Sequence, residues 1–571
     1  MLTRLYTICL FCLIMPLFAL SQSRYDILIT EFLPDPSPSM GLPESEFIEL
    51  KNSSAHDFNL HNWKISNGNI AAIIKTDYLL KADSFLILCP AASAGAYSHF
   101  GPTLGISSFP SLYNDEGDII LSTESGVVIH ALHYDKSWYN NELKAKGGWS
   151  LEMIDLHDPC TGKGNWTSSI SDSGGTPGNK NSVEAYNPDE QPPSLVRAIT
   201  IDSVNIILLL DEPVDSFSAS SNDNYSVSDG IGYPDSAFVQ SPFFDRIAIH
   251  LQNPLVVGKI YMISLQQIGD CSGNQISLNN TCKAGIPEKS KSGDIIFNEI
   301  LFNPPPYGYD YLELFNRSSR IIKCSDLFIA GKNMDGSLKD PLDLVNEERL
   351  IFPGEYLLLT ENPGWILQNY PMADKEHILS LSSLPSMPDD QGTVVLLNAA
   401  GEVLDELDYD HHWHSPLLAN EIGVSLERIR PDLPTSLPAN WTSAAATAGY
   451  GTPGYKNSEY SVDSAGGNFI SVEPKIFSPD FDGYHDFCFI HYNLPAAGYM
   501  GSISIYDVSG RKVCTLVNNI IWGISGTFRW DGLDDQQNLL PMGQYIIYVE
   551  LFLPDGTVRK QMLVCVLARR H

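Results

Sequence analysis

Two long stretches of this chain repeat one another block by block and in the same order, and a repeat of that kind constrains the fold more than any local pattern. Asp26-Ile-Leu-Ile-Thr-Glu31 returns as Asp294-Ile-Ile-Phe-Asn-Glu299, and Glu46-Phe-Ile-Glu-Leu50 returns as Asp310-Tyr-Leu-Glu-Leu314. Ser84-Phe-Leu-Ile-Leu88 matches Glu355-Tyr-Leu-Leu-Leu359, and Tyr134-Asp135 with Trp138 matches Tyr409-Asp410 with Trp413. The copies also close alike: Ser150-Leu-Glu152, Asn165-Trp-Thr167 and Gly175-Thr-Pro-Gly178 come back as Ser425-Leu-Glu427, Asn440-Trp-Thr442 and Gly451-Thr-Pro-Gly454. The offset between partners drifts only from about 264 to about 276, so the insertions are small and sit in loops. A module has been duplicated, and a 571-residue chain built around two copies holds several domains.

The matched blocks are short runs rich in Ile, Leu, Phe and Tyr, separated by Gly, Pro, Asn and Asp. That spacing predicts strands in a sandwich or barrel and speaks against a helical array. In Glu46 to Leu50, period-two alternation puts Ile48 and Leu50 on one face and Phe47 with Glu49 on the other, and the first face is expected to be core. The fold class is all-β.

The order of motifs in each copy resembles the lamin-tail domain: an Ile-x-Glu near the start, Glu-Phe/Tyr-Ile/Leu-Glu-Leu, an aliphatic run, then Ser-Leu-Glu, Asn-Trp and Gly-Thr-Pro-Gly. The resemblance implies two immunoglobulin-like β-sandwiches, at residues 24–184 and 292–460. Between them, Asn187-Pro-Asp-Glu-Gln-Pro-Pro193 reads as a linker that resists compact structure. The strand-like runs Val204 to Leu210 and Ile247 to Leu251, with Gly269-Asp-Cys-Ser-Gly-Asn274, resemble a bacterial Ig-like domain over residues 190–287. After a small, Gly-rich joint at Ser464 to Asn468, residues 465–571 form a last unit. Its Ile503-Ser-Ile-Tyr-Asp-Val-Ser-Gly510, Trp530-Asp-Gly532 and Pro541-Met-Gly-Gln-Tyr545 resemble the Ig-like domain of flagellar hook-capping proteins. They equally resemble the sorting domains of the type IX secretion system, and the terminal position favours the sorting role.

Arg4, the apolar run Leu5 to Leu20 and the small residues before Gln22 read as a secretory signal peptide over residues 1–21. No later segment has the apolar length to cross a bilayer. The formal net charge of −33 opposes binding to phosphate backbones, which excludes nucleic acid as a partner. With the signal removed, the cysteines left are Cys89, Cys160, Cys271, Cys282, Cys324, Cys488, Cys514 and Cys565, an even set that fits disulfides outside the cytoplasm. Cys271 and Cys282 are close enough to staple one hairpin, the alternative being two buried thiols.

Asp480, Asp482 and Asp486 surround Gly483, and alternate carboxylates at a Gly turn suit a hard cation such as calcium; a plain Asp-Gly turn is the competing reading. His411, His412 and His414 with Asp410 form the most metal-like cluster, yet the first copy has Lys136, Ser137 and Tyr139 there, which points to a structural corner. Trp166 and Trp441, at one place in both copies, read as core before they read as sugar platforms. Glu31, Glu49, Glu299 and Glu313 read as strand acids that accept loop hydrogen bonds. Nucleophile elbow, zinc-protease, P-loop and dinucleotide motifs do not occur in a convincing context, so no catalytic residue is assigned.

The sequence therefore reads as an exported, non-catalytic structural or adhesive protein of the cell surface, on the outer membrane of a Gram-negative bacterium. Its expected partners are a surface polysaccharide or protein and, through residues 465–571, the secretion machinery. Calcium-assisted recognition is the alternative, and a hydrolase with an unrecognised site comes third.

Overall fold

A computed structural model describes residues 22–333, 335–344, 349–461 and 470–569. The expected signal peptide and the Gly-rich joint at 464–468 lie outside the described residues. The longest helix among the described residues is Pro363–Asn369, started by a proline in its first turn and by the Asn362 side chain, which accepts from the Trp365 N–H. Everything else of substance is strand, and the chain is an all-β array of immunoglobulin-like sandwiches.

The chain divides into two compact units, residues up to Pro254 with Tyr261–Ala284, and Leu255–Ile260 with Gly285 onward. In the first unit, a six-stranded sheet runs in spatial order Trp166–Ser168, Leu151–Met153, Ile27–Leu33, Phe47–Asn52, Phe85–Pro90, Thr103–Ile106. A four-stranded sheet of Val128–Asp135, Glu116–Ser122, Lys64–Ser66 and Ala71–Ile73 faces it. Ile29, Ile48, Leu50, Leu86 and Leu88 from the first sheet pack on Ile65, Ile119, Leu121 and Ile129 from the second. Ile48 and Leu50 are thus core as expected. The opposite face of Phe47–Asn52 is buried as well: Phe47 packs on Leu42, Ile87 and Tyr97.

The same unit carries a second pair of sheets. Leu195–Thr200, Asn205–Leu210, Arg246–Leu251 and Pro234–Val239 form one, and Tyr225–Val227, Tyr261–Leu265 and Thr281–Ala284 the other. In Asn205–Leu210 the inward set is Ile206, Leu208 and Leu210, the period-two pattern of a half-buried strand.

The second unit repeats the first sandwich strand for strand. Ile378–Ser380, Tyr356–Thr360, Tyr311–Asn316, Ile295–Leu301, Leu426–Arg428 and Trp441–Ser443 make its large sheet, facing Leu338–Asp343, Leu327–Lys332, Gln391–Asn398 and Val403–Asp410. It then builds a further sandwich. Ile470–Glu473, Cys488–Asn493 and Ser525–Trp530 face a five-stranded sheet of Ile476–Phe477, Val558–Leu567, Gly543–Phe552, Met500–Asp507 and Lys512–Ile521. Phe477, Ile490, Ile503, Trp522, Trp530 and Val549 share that core.

Both copies of the duplicated sandwich turn the same corner. Tyr134 donates from its hydroxyl to the Tyr113 carbonyl and Tyr409 to that of Pro388, while Asp135 and Asp410 cap the next turn by accepting from the N–H of Ser137 and of His412. Each tyrosine ring crosses a glycine on the neighbouring strand, and a Cβ on Gly392 stands 2.5 Å from the Tyr409 hydroxyl oxygen. Gly392→Ala is expected to lower stability by about 1–3 kcal/mol through overpacking. Thermal unfolding of the mature chain checks this, with Gly95→Ala, at an open position of ordinary φ, as the control for added side-chain bulk.

Candidate functional site

The strands Ile27–Leu33, Phe47–Asn52 and Leu151–Met153 lie side by side in a register that pairs Glu31 with both Glu49 and Glu152. Three glutamates thus form a row across the middle of the sheet, all fully buried. The ladder consumes the backbone donors of these strands, so the carboxyls need donors from elsewhere. Most come from a single returning loop, with the Ser150 and Thr30 hydroxyls beside it. Glu31 accepts from the Ser150 hydroxyl at 2.6 Å and the Thr176 N–H at 2.8 Å, and Glu152 from the Thr176 and Ser182 hydroxyls. Glu49 accepts from the Gly178 N–H at 2.6 Å and the Thr30 hydroxyl at 2.7 Å.

The second copy rebuilds the row as Glu313, Glu299 and Glu427. Thr452 donates to Glu299 from its N–H and to Glu299 and Glu427 from its hydroxyl, and the Gly454 N–H donates to Glu313 at 2.6 Å. Gly-Thr-Pro-Gly is therefore a donor loop seated on acids. Its first glycine has no room for a side chain: a Cβ on Gly175 meets Glu31 Oε1 at 2.6 Å, and one on Gly451 meets the Tyr311 hydroxyl at 2.5 Å. Its last glycine adopts a left-handed φ, +81° at Gly178 and +86° at Gly454, which aims the N–H at the carboxyl.

Burial pushes the carboxyl groups upward, reinforced by their neighbours. Glu49 and Glu427 rise to about 8, Glu31 and Glu313 rise well above the carboxylate range, and Glu299 is raised. Glu49 and Glu427 thus hold protons at neutral pH. The rows' solvent-free setting and saturated hydrogen bonds make them structural clasps, in keeping with their reading as acceptors of loop hydrogen bonds. Glu152 and Glu427 were not singled out from sequence, although each stands in a repeated Ser-Leu-Glu.

The cysteine expectation is corrected. Cys271 is bonded to Cys160, at a Cα separation of 6.2 Å and 111 residues away in sequence, and Cys282 stays a thiol within the strand Thr281–Ala284. The disulfide ties a loop of the first sandwich to a loop of the following sheets. Around it, Ser272 donates to Asp158 at 2.9 Å and Asn274 to the Asp189 carbonyl at 3.0 Å, and the Arg24 guanidinium lies 3.8 Å over the Phe244 ring. The Pro-rich stretch read as an unstructured linker is pinned here too, since the Asn187 N–H donates to Asp155 and Thr161 donates to Asp189. This junction gathers Asp189, Glu212 and Asp270, with carboxylate oxygens within 4.8 Å of one another. Spacings across so much chain gave no signal of it.

Asp480, Asp482 and Asp486 do converge, again with an oxygen of each within 4.8 Å. Of the histidine cluster, His411 and His412 converge with Asp410, but His414 turns into the core, bonded to the Ser443 hydroxyl, and burial pushes it down to about 4. Trp166 and Trp441 are buried core residues. A groove of about 930 Å³ opens beside the corner of the second copy, lined by Lys332, Leu384, Thr393, Asp408, Tyr409 and Trp413. At the same place the first copy has a smaller one of about 530 Å³, with Asn67, Tyr113, Asp118 and His133.

Two of the three carboxylates of the first row, Glu31 and Glu49, lie in the part of the chain that known sequences also mark. The lamin tail domain family model matches residues 21–150. The lamin tail domain match takes in the strands of Glu31 and Glu49 and stops one residue before the strand that carries Glu152. No curated protein matches the chain. Among solved structures, the N-terminal part of the bacterial S-layer protein SbsC is 18% identical, over 30% of this chain and 41% of that one, with a TM-score of 0.16. Dimeric latent PorU from Porphyromonas gingivalis is 10% identical over 71% of this chain and 35% of that one, at 0.15. A DUF4876 family protein from Bacteroides thetaiotaomicron is 12% identical over 37% and 83%, at 0.18. The chain spans 41–55% of the S-layer structures it matches, and scores this low carry no inference about it.

The rows make stability depend on pH with a definite sign. Folding raises these carboxyl groups from 4.5, so the folded chain holds protons that the unfolded chain has given up; the stabilisation is complete at low pH and is lost as pH rises through about 8. His130 and His414, pushed down by burial to about 3 and about 4, oppose this only below their ordinary 6.5. Between pH 6.5 and about pH 9 the thermal midpoint is expected to fall by several degrees, and Glu49→Gln with Glu427→Gln to flatten the slope. Calorimetry across that range decides, and an unchanged slope in the double variant rules out Glu49 and Glu427 as its cause.

Proposed function

We propose that this chain is an exported, non-catalytic structural or adhesive protein of the cell surface. In this reading the second copy, residues 292–460, is another lamin-tail module. An Ig-like module separates the two, and residues 465–571 address the chain to the secretion machinery of a Gram-negative outer membrane. The observation that carries the reading is the Cys160–Cys271 disulfide, which cross-links one sandwich to the next and is typical of an oxidising, extracytoplasmic compartment. The acids that both copies share support it, because they are spent on holding loops and are closed to any substrate.

Three experiments in the native host test it. Alkylation without reduction should leave Cys160 and Cys271 unmodified, and surface labelling should reach the full-length chain. Removal of residues 465–571 should strand the rest inside the envelope; unchanged display after the deletion overturns the sorting role of the last module.

A second reading, recognition of a surface polysaccharide or protein, rests on the grooves at matching places in the two copies. It requires that purified protein bind the host's isolated surface polysaccharide or envelope proteins. Asp408→Ala, at an exposed wall of the larger groove, should then weaken that binding, and full binding by the variant removes the groove from consideration.

A further inference from the structure

We propose that the loop between Ile476–Phe477 and Cys488–Asn493 is a calcium site formed by Asp480, Asp482 and Asp486. The loop carries the chain from the five-stranded sheet to the three-stranded sheet of the last sandwich. Both of its ends are fixed in the core, through Phe477 on one side and Cys488 on the other. Between them it closes on itself, with the Ser478 N–H donating to the His485 carbonyl at 2.9 Å.

The three carboxylates point to a common centre, one oxygen of each within 4.8 Å of the others. Like charges held at that distance repel; within the loop the Asp482 N–H donates to Asp480 at 3.4 Å, the Tyr484 N–H to Asp482 at 2.9 Å and the Gly483 N–H to Asp486 Oδ2 at 2.9 Å. The independent observation is Asp486 itself. It is only 9% exposed, and its Oδ1 is buried with no hydrogen-bond partner. A buried carboxylate oxygen without a donor is costly, and a cation seated among the three groups satisfies it while cancelling the repulsion. Three all-oxygen ligands from a short irregular loop, completed by water or main-chain carbonyls, suit calcium, which tolerates uneven geometry, better than an ion that demands a regular octahedron.

Ion binding here joins the two sheets of the sandwich at their crossover. The proposal stands on the loop alone and is independent of the surface role proposed above.

The test uses the mature full-length chain, terbium as a luminescent probe and calcium as its competitor. Terbium emission sensitised by Tyr484 is expected, calcium should displace it, and calcium should raise the unfolding temperature of the last sandwich. Asp482→Asn, at an exposed position, leaves the core untouched and is expected to weaken calcium about tenfold; Asp486→Asn should abolish the site. Weak binding elsewhere on so acidic a chain is common to wild type and variants and cancels in the comparison. Absence of calcium-displaceable terbium in the wild type overturns the proposal, as does an affinity unchanged in Asp482→Asn. If Asp486→Asn fails to fold, the Asp482→Asn titration decides alone.

Discussion

A carboxyl group sealed inside a β-sheet must find hydrogen-bond donors, and here that demand organises whole modules. The strands that bear Glu31, Glu49 and Glu152 have already committed their own N–H groups to the ladder. The missing donors arrive from Thr176 and Gly178, 145 and 129 residues further along than the acids they serve. Each duplicated sandwich is therefore complete only when its last loop has returned to its first strands. Asn181 reinforces the closure by donating to the carbonyls of Thr30 and Met153, and Asn457 does the same for Asn298 and Arg428. Entry and exit of the module are fastened at one place.

Around that shared clasp the two copies have diverged in a coupled way. Both have a bulge in the first strand, at Thr30 and at Asn298. In the first copy the neighbouring Ile29 N–H is taken by the buried, neutral imidazole of His130. In the second, the Phe297 N–H is taken by Asp405, and an acid at that depth needs a cation. Arg428 supplies it at 3.6 Å, fully buried, donating also to the Phe297 and Leu433 carbonyls, where the first copy has Met153. One copy solves the bulge with a neutral ring beside a thioether, the other with an ion pair.

This also explains what the sequence makes legible. The repeat exposes the modules because the elements of the clasp recur as blocks: the strand acids, Ser-Leu-Glu and Gly-Thr-Pro-Gly. Periodicity locates the core face of Phe47–Asn52 but is blind to its second face, whose cover comes from elements distant in the chain. The function of the Gly-Thr-Pro-Gly loop is hidden for the same reason. Cysteine proximity misleads outright: Cys282 lies in a strand opposite Ile263, while Cys271 finds a partner one sandwich away. The converging aspartates at Asp480, Asp482 and Asp486 were legible because all three ligands sit in one turn. Asp189, Glu212 and Asp270 were not, because three separate segments bring them together.

The Cys160–Cys271 bond has a mechanical consequence. A chain held at both ends and pulled lengthens as its modules unravel, but tension bypasses whatever a covalent bridge encloses. The 111-residue span between the two cysteines keeps about 380 Å of contour length out of the extension. The four-stranded sheet from Leu195 to Leu251 is enclosed within it, with the strands Tyr225–Val227 and Tyr261–Leu265 of its partner sheet. Under load these strands sit off the line of force, and only the pairing of Tyr261–Leu265 with Thr281–Ala284, which lies beyond the bridge, still meets the pull.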